Sequence, residues 1–262
     1  MGGSLARDLA ARGVAVRAYD SDASHLAAAL RDGVVTEALD ASLAGVRGAD
    51  AIVVAVPVDA AVEVLHRIAP YAGTARLITD VGSTKTRILE AAHSAGLGAR
   101  FVGSHPMAGD HRSGWEASRT GLFAGACVYL CPSPETRGDV DLATTFWTEL
   151  GARIEVLPAD EHDRKLAWSS HLPHMVSVGL ALALARTGVE RDDLGPGGRD
   201  VTRLAGSSPE VWTAIARDNA VEIDAALAAA QTELEEIRDA LRRADDDELR
   251  ARFARARTWF TT

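Results

Sequence analysis

Short apolar runs alternate with helical segments through the first half of this chain, and this alternation restricts the fold more than any other feature. The run Ala51-Ile-Val-Val-Ala-Val56 is apolar throughout, as in a parallel strand buried on both faces. Helices are predicted over residues 3–12, 23–31 and 60–68, where the apolar spacing is helical. Strands that alternate with helices favour a doubly wound parallel sheet, so the sequence predicts an α/β domain.

Two polar motifs follow the predicted strands 76–79 and 99–102. They are Asp80-Val-Gly-Ser-Thr-Lys85 and Gly103-Ser-His-Pro-Met-Ala-Gly109. Ligands bind at the carboxyl ends of the strands in an open α/β sheet. We therefore expect the polar side chains of both motifs to face one crevice.

Three side chains of these motifs, Ser83, Lys85 and His105, are candidates for chemistry. A hydroxyl, an ammonium and an imidazole together can hold an anion and move a proton. Structural alternatives stay open at each position. His105 could cap a turn, Ser83 could be the N-cap of the following helix, and Lys85 could be a helix-end or phosphate-side charge.

Three further positions, Gly2, Asp20 and Pro57, indicate a dinucleotide cofactor. Asp20 closes the predicted strand 14–19, where an acidic residue hydrogen-bonds the ribose of NAD and repels the extra phosphate of NADP. The alternative for Asp20 is an ordinary turn. Gly2 would be the last glycine of a Gly-x-Gly-x-x-Gly fingerprint, and Pro57 ends the buried strand that follows. The expected cofactor is NAD.

The fingerprint is incomplete, because the strand and the two glycines that should precede Gly2 are not in this sequence. That strand would be central in the sheet, and its loss would expose apolar edges and unpaired backbone groups. We therefore expect the true start to lie upstream. The alternative is a genuine truncation that binds NAD poorly.

The second half of the chain has a mostly helical pattern. We predict a dinucleotide-binding domain over residues 1–158 and a helical substrate and dimerisation domain over 159–262. Helices are expected over 166–185 and 221–244, whereas Gly195-Pro-Gly-Gly198 is expected to be a loop. Long Ala/Leu-rich helices with two apolar faces favour a homodimer.

Composition restricts the partners and the location. The chain has 262 residues with a net charge of -9, and no basic stripe that would suit nucleic acid or an anionic membrane. It has no signal-peptide pattern and no apolar run long enough to span a bilayer, so we expect a cytoplasmic protein. Cys127 and Cys131 are expected to be small buried side chains, and no metal site is predicted.

Taken together, the motifs resemble the prephenate/arogenate dehydrogenase family of tyrosine biosynthesis over nearly the whole chain. The resemblance runs through Gly2-Gly3-Ser4-Leu5-Ala6, the two motifs at residues 80–85 and 103–109, Ser170-His-Leu-Pro-His174 and Asp200-Val-Thr-Arg-Leu-Ala205. It implies a Rossmann-like nucleotide-binding domain, here without its first strand, followed by an all-α dimerisation domain. It also implies an oxidoreductase that uses NAD for the oxidative decarboxylation of a cyclohexadienol, either prephenate or L-arogenate.

The same resemblance implies roles for individual residues. His105 would be the base that takes the substrate hydroxyl proton, and Ser83 would hydrogen-bond His105 or that hydroxyl. His174 would lie at the substrate site. Arg203 would bind a substrate carboxylate, and Asp200 would orient Arg203 through a salt bridge.

Asp110 directly follows the His105 motif and bears on the choice of substrate. A carboxylate there would favour the ammonium of arogenate and repel the prephenate dianion, which gives a weak preference for arogenate. Two other functions remain as alternatives. One is a truncated, non-catalytic relative that retains the helical dimer interface, and the other is a β-hydroxyacid-type dehydrogenase with Lys165 as proton donor.

Overall fold

The computed structural model describes residues 1–109, 114–133 and 139–261. Contacts between residues divide the chain into two compact units. The first unit comprises residues 1–166 and 206–219, and the second comprises residues 167–205 and 220–262. The first unit is α/β, and the second is helical.

The strands that the structure describes all belong to the first unit and form two sheets. One sheet pairs β1 (Arg17–Ala18) with β2 (Glu37–Ala38) in parallel. The other sheet contains, in spatial order, β3 (Ala51–Val54), β4 (Leu77–Asp80), β5 (Phe101–Pro106), β6 (Cys127–Pro132) and β7 (Arg153–Val156).

The strand order agrees with the expected Rossmann-like fold without its first strand. The strands of the doubly wound fold lie in the spatial order 3-2-1-4-5-6, numbered along the chain of a complete domain. In this chain, β1 and β2 correspond to strands 2 and 3 of that order, and β3, β4 and β5 correspond to strands 4, 5 and 6. Within residues 1–109, 114–133 and 139–261, no strand corresponds to strand 1. The two sheets are therefore not joined by backbone hydrogen bonds through a central strand.

Helices surround the larger sheet and form the whole second unit. In chain order they are α1 (Gly2–Ala10), α2 (Ala23–Arg31), α3 (Val58–Ile68), α4 (Thr86–Ser94), α5 (Asp139–Glu149), α6 (Ala159–Leu166), α7 (Leu172–Arg186), α8 (Pro196–Thr202), α9 (Pro209–Asp218), α10 (Ala220–Arg242) and α11 (Asp246–Thr261). Helices α7, α8, α10 and α11 belong to the second unit. Of the helices described, none is both long and apolar enough to cross a membrane.

The core of the first unit lies on both faces of the larger sheet, because successive residues of a strand point to opposite sides. In β4, Ile78 packs in a cluster with side chains of α3, α4 and α9, whereas Leu77 packs with side chains of α1 and α5. Phe101 and Val102 of β5 divide between the two clusters in the same way. All four side chains are buried, so the sheet is covered on both faces.

Strand β6 departs from the predicted all-parallel sheet. It pairs antiparallel with β5, with His105 opposite Tyr129, and β7 then runs parallel to β6. Parallel neighbours need a crossover connection, usually a helix. Among the described residues between β5 and β6, the only helical element is the 3₁₀ turn Trp115–Ala117, so no crossover helix returns the chain to the start of the sheet.

Two expectations for the helical half were wrong in detail. The helix expected over 166–185 is interrupted, because a π-helical turn at Ala167–His171 separates α6 from α7. The loop expected at 195–198 is the start of α8, which begins at Pro196. Proline suits a first helical position because its missing N–H would have no partner there.

Large apolar side chains are exposed on the second unit. Leu182 is 58% exposed, Val221 is 82% exposed and Phe253 is 73% exposed. The three clusters of buried apolar residues that the described part of the chain forms all lie in the first unit. A helical surface with so many uncovered apolar side chains is typical of an interface with another macromolecule.

Candidate active site

Asp80, the last residue of β4, organises the carboxyl ends of β4 and β5. Its Oδ1 accepts a hydrogen bond from the Ser104 backbone N–H at 3.0 Å, and its Oδ2 accepts one from Gly82 N–H at 2.7 Å. Oδ2 also pairs with the ammonium of Lys85. The carboxylate thereby fixes the turn after β4 against the residue that precedes His105.

Lys85 does not face a crevice as the sequence suggested. Its side chain is 0% exposed, paired with Asp80, and its Nζ donates to the Ser104 carbonyl at 2.9 Å. A buried charge needs such partners, because unpaired burial in a low-dielectric interior is costly. The expectation that Lys85 helps to hold an anion, or carries a phosphate-side charge, is therefore wrong. Its role is structural.

His105 lies near the end of β5 and is buried. Its Nδ1 is 2.9 Å from Nε2 of His162, and the two rings meet edge to face with centroids 5.1 Å apart. The sequence placed His105 just after a strand ending at residue 102, whereas β5 continues to Pro106. The ladder with β6 therefore fixes the backbone of His105.

His162 and Asp163, adjacent on α6, complete this cluster, and sequence reasoning missed both. His162 Nδ1 is 2.8 Å from Oδ1 of Asp163. His162 is fully buried, and Asp163 is 6% exposed. The only local signal was a His-Asp pair in a polar helix, which resembles a solvated helix face. Its packing next to His105 depends on the fold, not on spacing.

Burial and hydrogen bonding set the charges of this pair. Burial lowers the pKa of His162, against the opposing effect of the hydrogen bond with Asp163, so His162 is neutral at neutral pH. Burial would raise the pKa of Asp163, but hydrogen bonds from His162 and Thr86 outweigh it and lower that pKa. The pair is a neutral imidazole beside a carboxylate.

Ser83 is half-buried in the bend between β4 and α4. The alternative that Ser83 caps α4 does not hold, because Asp163 occupies that position. Oδ1 of Asp163 accepts from Lys85 N–H at 2.8 Å, and its Oδ2 accepts from Thr86 N–H at 2.9 Å. Asp163 therefore joins the start of α4 to the histidine pair, and the role of Ser83 stays a prediction.

One of the cofactor candidates, Gly2, lies against the segment that joins β3 to Pro57. A Cβ placed on Gly2 would be 2.9 Å from the Cβ of Ala55, two residues before Pro57. Pro57 precedes α3 as its N-cap. Helix α1 begins at Gly2, and its N-cap residue makes no side-chain capping hydrogen bond. A helix N-terminus of this kind suits a phosphate group.

Asp20 follows β1 with an exposed carboxylate. Its Oδ1 accepts from Asp22 N–H at 2.8 Å, and its Oδ2 is 3.8 Å from Nδ1 of His25. The turn interpretation of Asp20 is therefore correct locally, and it leaves acceptor capacity for ribose hydroxyls. The role of Asp20 in binding the cofactor stays a prediction.

In the helical unit, His174 lies on α7 and is half-buried. Its Nδ1 is 3.0 Å from the Ser170 carbonyl, so Nδ1–H donates to that oxygen. Burial lowers the pKa of His174, and the nearby positive charge of Arg203 lowers it further, against the effect of the Ser170 bond. A neutral His174 therefore lies in the field of Arg203.

Arg203 is exposed and follows α8, where its backbone N–H donates to the Asp200 carbonyl. The expected salt bridge between the Asp200 and Arg203 side chains is not formed, although the structure describes both residues. Helical geometry places the backbone of Arg203, not its guanidinium, against Asp200. Its guanidinium is thus available to an anion from solvent.

The remaining predicted positions are Asp110 and the two cysteines. Asp110 lies outside the residues that the structure describes. Cys131 is buried, and burial raises the pKa of its thiol to about 12. Burial also raises the pKa of the half-buried Cys127. In the described ranges, no group of three or more His, Cys, Asp or Glu side chains is placed to hold a metal ion.

Comparison with known proteins gives two family matches that together span most of the chain. Residues 5–156 match the family described as "Prephenate dehydrogenase, nucleotide-binding domain". Residues 158–255 match "Prephenate dehydrogenase, dimerization domain". The motifs around His105 and Asp80 fall in the first match, and those around His174 and Arg203 fall in the second.

Relatives with assigned names agree with these matches. The chain is 33% identical to the prephenate dehydrogenase of Bacillus subtilis (strain 168) over 84% of its own length and 62% of that protein. It is 32% identical to the cyclohexadienyl dehydrogenase of Zymomonas mobilis over 86% of its own length and 77% of that protein. The chain thus spans less than two thirds of the Bacillus relative.

Solved structures extend the agreement to three dimensions. The prephenate dehydrogenase of Aquifex aeolicus, in complex with hydroxyphenyl propionate and NAD⁺, matches all of this chain and 94% of its own, with a TM-score of 0.91 and 28% identity. The Synechocystis arogenate dehydrogenase matches 98% of this chain and 94% of its own, with a TM-score of 0.82 and 28% identity. The chain belongs to the prephenate dehydrogenase family.

Proposed function

We propose that this protein catalyses the NAD-dependent oxidative decarboxylation of a cyclohexadienol, prephenate or L-arogenate, in tyrosine biosynthesis. The observation that carries the proposal is the buried His105, hydrogen-bonded through Nδ1 at the carboxyl end of β5, in a chain of this family. An imidazole held in this way can act as a general base.

In the proposed reaction His105 moves the proton. The substrate hydroxyl gives its proton to the imidazole as the carbon that bears it becomes a carbonyl carbon, and Ser83 orients that hydroxyl or the imidazole. Bound NAD⁺ supplies the hydride acceptor. The ring carboxylate then leaves as CO₂, and its bonding electrons complete the aromatic ring. The proton on His105 can return to the phenolate oxygen that forms.

Residues of the helical unit would bind the substrate. A carboxylate needs a cation that stays charged, and the exposed guanidinium of Arg203 meets this requirement. His174, neutral because of burial and Arg203, would hydrogen-bond a substrate oxygen without adding charge. Asp200, on the same segment, would contribute to the substrate site, but not through a salt bridge with Arg203.

The cofactor would lie at the carboxyl ends of β1 and β3. Asp20 would accept hydrogen bonds from the adenosine ribose, which favours NAD over NADP. The start of α1 at Gly2 would approach the pyrophosphate, and Pro57 would border the same crevice. The family match over the nucleotide-binding domain and the exposed carboxylate of Asp20 support this placement.

The exposed apolar surface of the helical unit supports a homodimer. A second copy of the chain would bury side chains such as Leu182 and Phe253, and the helical half matches a dimerization domain. The family's biosynthetic role is consistent with the expected cytoplasmic location.

The test of the proposal is NADH formation by the purified protein, with NAD⁺ and either prephenate or L-arogenate. We expect NADH to appear with one or both substrates, together with equimolar CO₂ and a phenolic product. NADH formation without release of CO₂ would indicate a different dehydrogenase. No NADH with either substrate would contradict the proposal.

A second candidate, a chain that keeps the fold but does not bind NAD, is favoured by one observation. The sheet of β1 and β2 and the sheet of β3 to β7 are not paired with each other within the described residues. Calorimetric titration with NAD⁺ separates the two candidates. Saturable binding supports the dehydrogenase, and no binding supports the non-catalytic relative. The β-hydroxyacid alternative loses its basis, because Lys165 is exposed and pairs with Glu155.

A further inference from the structure

We infer that His162 and Asp163 position His105 by fixing its tautomer, with the proton on Nδ1 and the lone pair on Nε2. The proposed function supplies only the reaction in which Nε2 acts as base, and in that respect the inference rests on it. The tautomer itself is inferred from the arrangement of hydrogen-bond donors and acceptors within the first unit.

The tautomers follow in order from the carboxylate. An ionised carboxylate can only accept, so Nδ1 of His162 must donate to Asp163 Oδ1 across 2.8 Å. A neutral His162 then has an unprotonated Nε2, which can only accept. Nδ1 of His105, 2.9 Å away, must therefore carry the hydrogen of that bond. The base on His105 is consequently Nε2.

Asp163 is held so firmly that it can act as the fixed end of this series. Both carboxylate oxygens accept backbone N–H groups at the start of α4, from Lys85 and Thr86. Anions are stabilised at a helix N-terminus, which keeps Asp163 ionised. Its own carbonyl accepts from Asn219 Nδ2 at 2.8 Å, so its backbone is fixed as well.

Burial makes the orientation strict. His162 has no exposed surface, so water cannot offer its ring an alternative donor or acceptor. The ring packs edge to face on Tyr129, with centroids 5.4 Å apart. The rotation of His162 is thus limited by packing on one side and by Asp163 on the other.

The charged and titratable groups around His162 act in both directions. Lys85 opposes its protonation and the carboxylates of Asp163 and Asp80 favour it, while burial, the largest effect, makes protonation unfavourable overall. Besides His105 and Asp163, these groups are Lys85 and Asp80, which pair with each other, and Cys131, whose thiol is protonated. Tyr129 also faces His162, and Lys165 lies over the Tyr129 ring. The positive charge of Lys85 disfavours a second one on His162, in addition to burial. When His105 becomes protonated in the reaction, the carboxylate of Asp163 lies two hydrogen bonds away and stabilises that charge.

Protonation of His162 would reverse the bond to His105. An imidazolium donates from both nitrogens, so Nε2–H of His162 would then occupy Nδ1 of His105. His105 would be left with its proton on Nε2 and could not act as a base there. The positioning therefore predicts that activity decreases when His162 becomes charged.

Two substitutions of His162 separate positioning from packing. His162→Gln can present its amide oxygen to Nδ1–H of His105, whereas His162→Leu fills the space and offers no acceptor. We expect His162→Leu to decrease kcat about 100-fold or more, with KM and NAD⁺ affinity little changed. His162→Gln should keep most of the wild-type kcat. In its pH profile, the part of the decrease in activity at low pH that comes from protonation of His162 should be absent. Equal kcat for the two variants, with both folded, would overturn the inference.

The tautomer itself can be read without turnover. Selective ¹⁵N-histidine labelling of the full chain distinguishes protonated from unprotonated ring nitrogens, and the signals are assigned with His105→Asn and His162→Gln. We expect Nδ1–H and an unprotonated Nε2 on both rings above neutral pH. A proton on Nε2 of His105 would overturn the inference even if His162→Leu fails to fold. If the wild type converts neither substrate, the proposed function fails, while these signals still decide the tautomer.

Discussion

At the scale of single residues, charges that look available in the sequence are used inside the fold. Lys85 is fully buried and paired with Asp80, and Asp163 caps α4 while it holds His162. The sequence places His105 and Asp80 near the carboxyl ends of two strands, since both belong to motifs that follow apolar runs, but β5 continues beyond its predicted end and includes His105. It does not reveal His162, because the contact joins positions 57 residues apart.

Replacing Lys85 with Met should strongly destabilise the protein. The substitution leaves the carboxylate of Asp80 buried without its cation, which costs about 3–5 kcal/mol of unfolding free energy. Urea denaturation measures the change. The control is Lys165→Met, which removes an exposed pair with Glu155 and should change stability little. Equal effects of the two substitutions would contradict a structural role for Lys85.

Stability should decrease in mild acid because of His162. Its folded-state pKa lies below the ordinary 6.5, so as the pH falls below that value the unfolded chain takes up a proton that the folded chain does not. The lowered pKa of Asp163 acts in the same direction below 3.8. The urea midpoint, followed from about pH 7.5 to about pH 5, should decrease less in His162→Gln than in the wild type. Parallel curves for His162→Gln and the wild type would refute this assignment.

Asp110 is predicted to set the substrate preference. A carboxylate near the substrate side chain favours the ammonium of arogenate by about 1 kcal/mol, or about fivefold. Asp110→Asn should therefore decrease the ratio of kcat/KM for arogenate to that for prephenate by about this factor. Steady-state assays with both substrates measure the ratio. An unchanged ratio would show that Asp110 does not discriminate.

At the scale of elements, the apolar periodicity of the sequence predicts the helices and strands whose positions are determined by local sequence. The buried parallel strands β3 and β4 and the flanking helices α2 and α3 lie within two residues of the expected positions, because their apolar patterns leave few choices. The antiparallel direction of β6 depends on how the connection from β5 packs, which no local pattern encodes. The start of α8 at Pro196 was hidden by glycines that normally indicate a loop.

Helix α1 should tolerate no side chain at Gly2. A Cβ there would lie 2.9 Å from the Cβ of Ala55, closer than packed atoms approach, so Gly2→Val should displace α1 from β3. We expect a loss of about 1–3 kcal/mol of stability and weaker NAD⁺ binding by calorimetry. Gly73→Ala, where a Cβ meets nothing within 4 Å, is the matched control. Wild-type stability and NAD⁺ affinity in Gly2→Val would contradict this packing.

At the scale of the whole molecule, the two units differ in how they bury apolar surface. The α/β unit covers its sheet on both faces, whereas the helical unit leaves large side chains exposed on α7, α10 and α11. The sequence predicted a helical second half and a homodimer from this composition. It gave no local indication that residues 206–219 pack with the first unit, since α9 resembles any other amphipathic helix.

Leu182→Glu should weaken the proposed homodimer. Leu182 is 58% exposed on α7, and burying a carboxylate at an interface is costly unless a cation pairs with it. Size-exclusion chromatography with light scattering should give a dimer mass for the wild type and a monomer mass for the variant at low micromolar concentration. Val156→Glu, at an exposed position of the α/β unit, should remain dimeric. A dimeric Leu182→Glu would place the interface elsewhere.

The central claim is that His105 is the base of an NAD-dependent dehydrogenase, and one comparison tests it most directly. NADH formation is measured for the wild type and His105→Asn with saturating NAD⁺ and the better of the two substrates, after calorimetry has shown equal NAD⁺ binding. We predict that kcat decreases by about 10²- to 10⁴-fold in His105→Asn. A variant that binds NAD⁺ and turns over at the wild-type rate would contradict the role of His105.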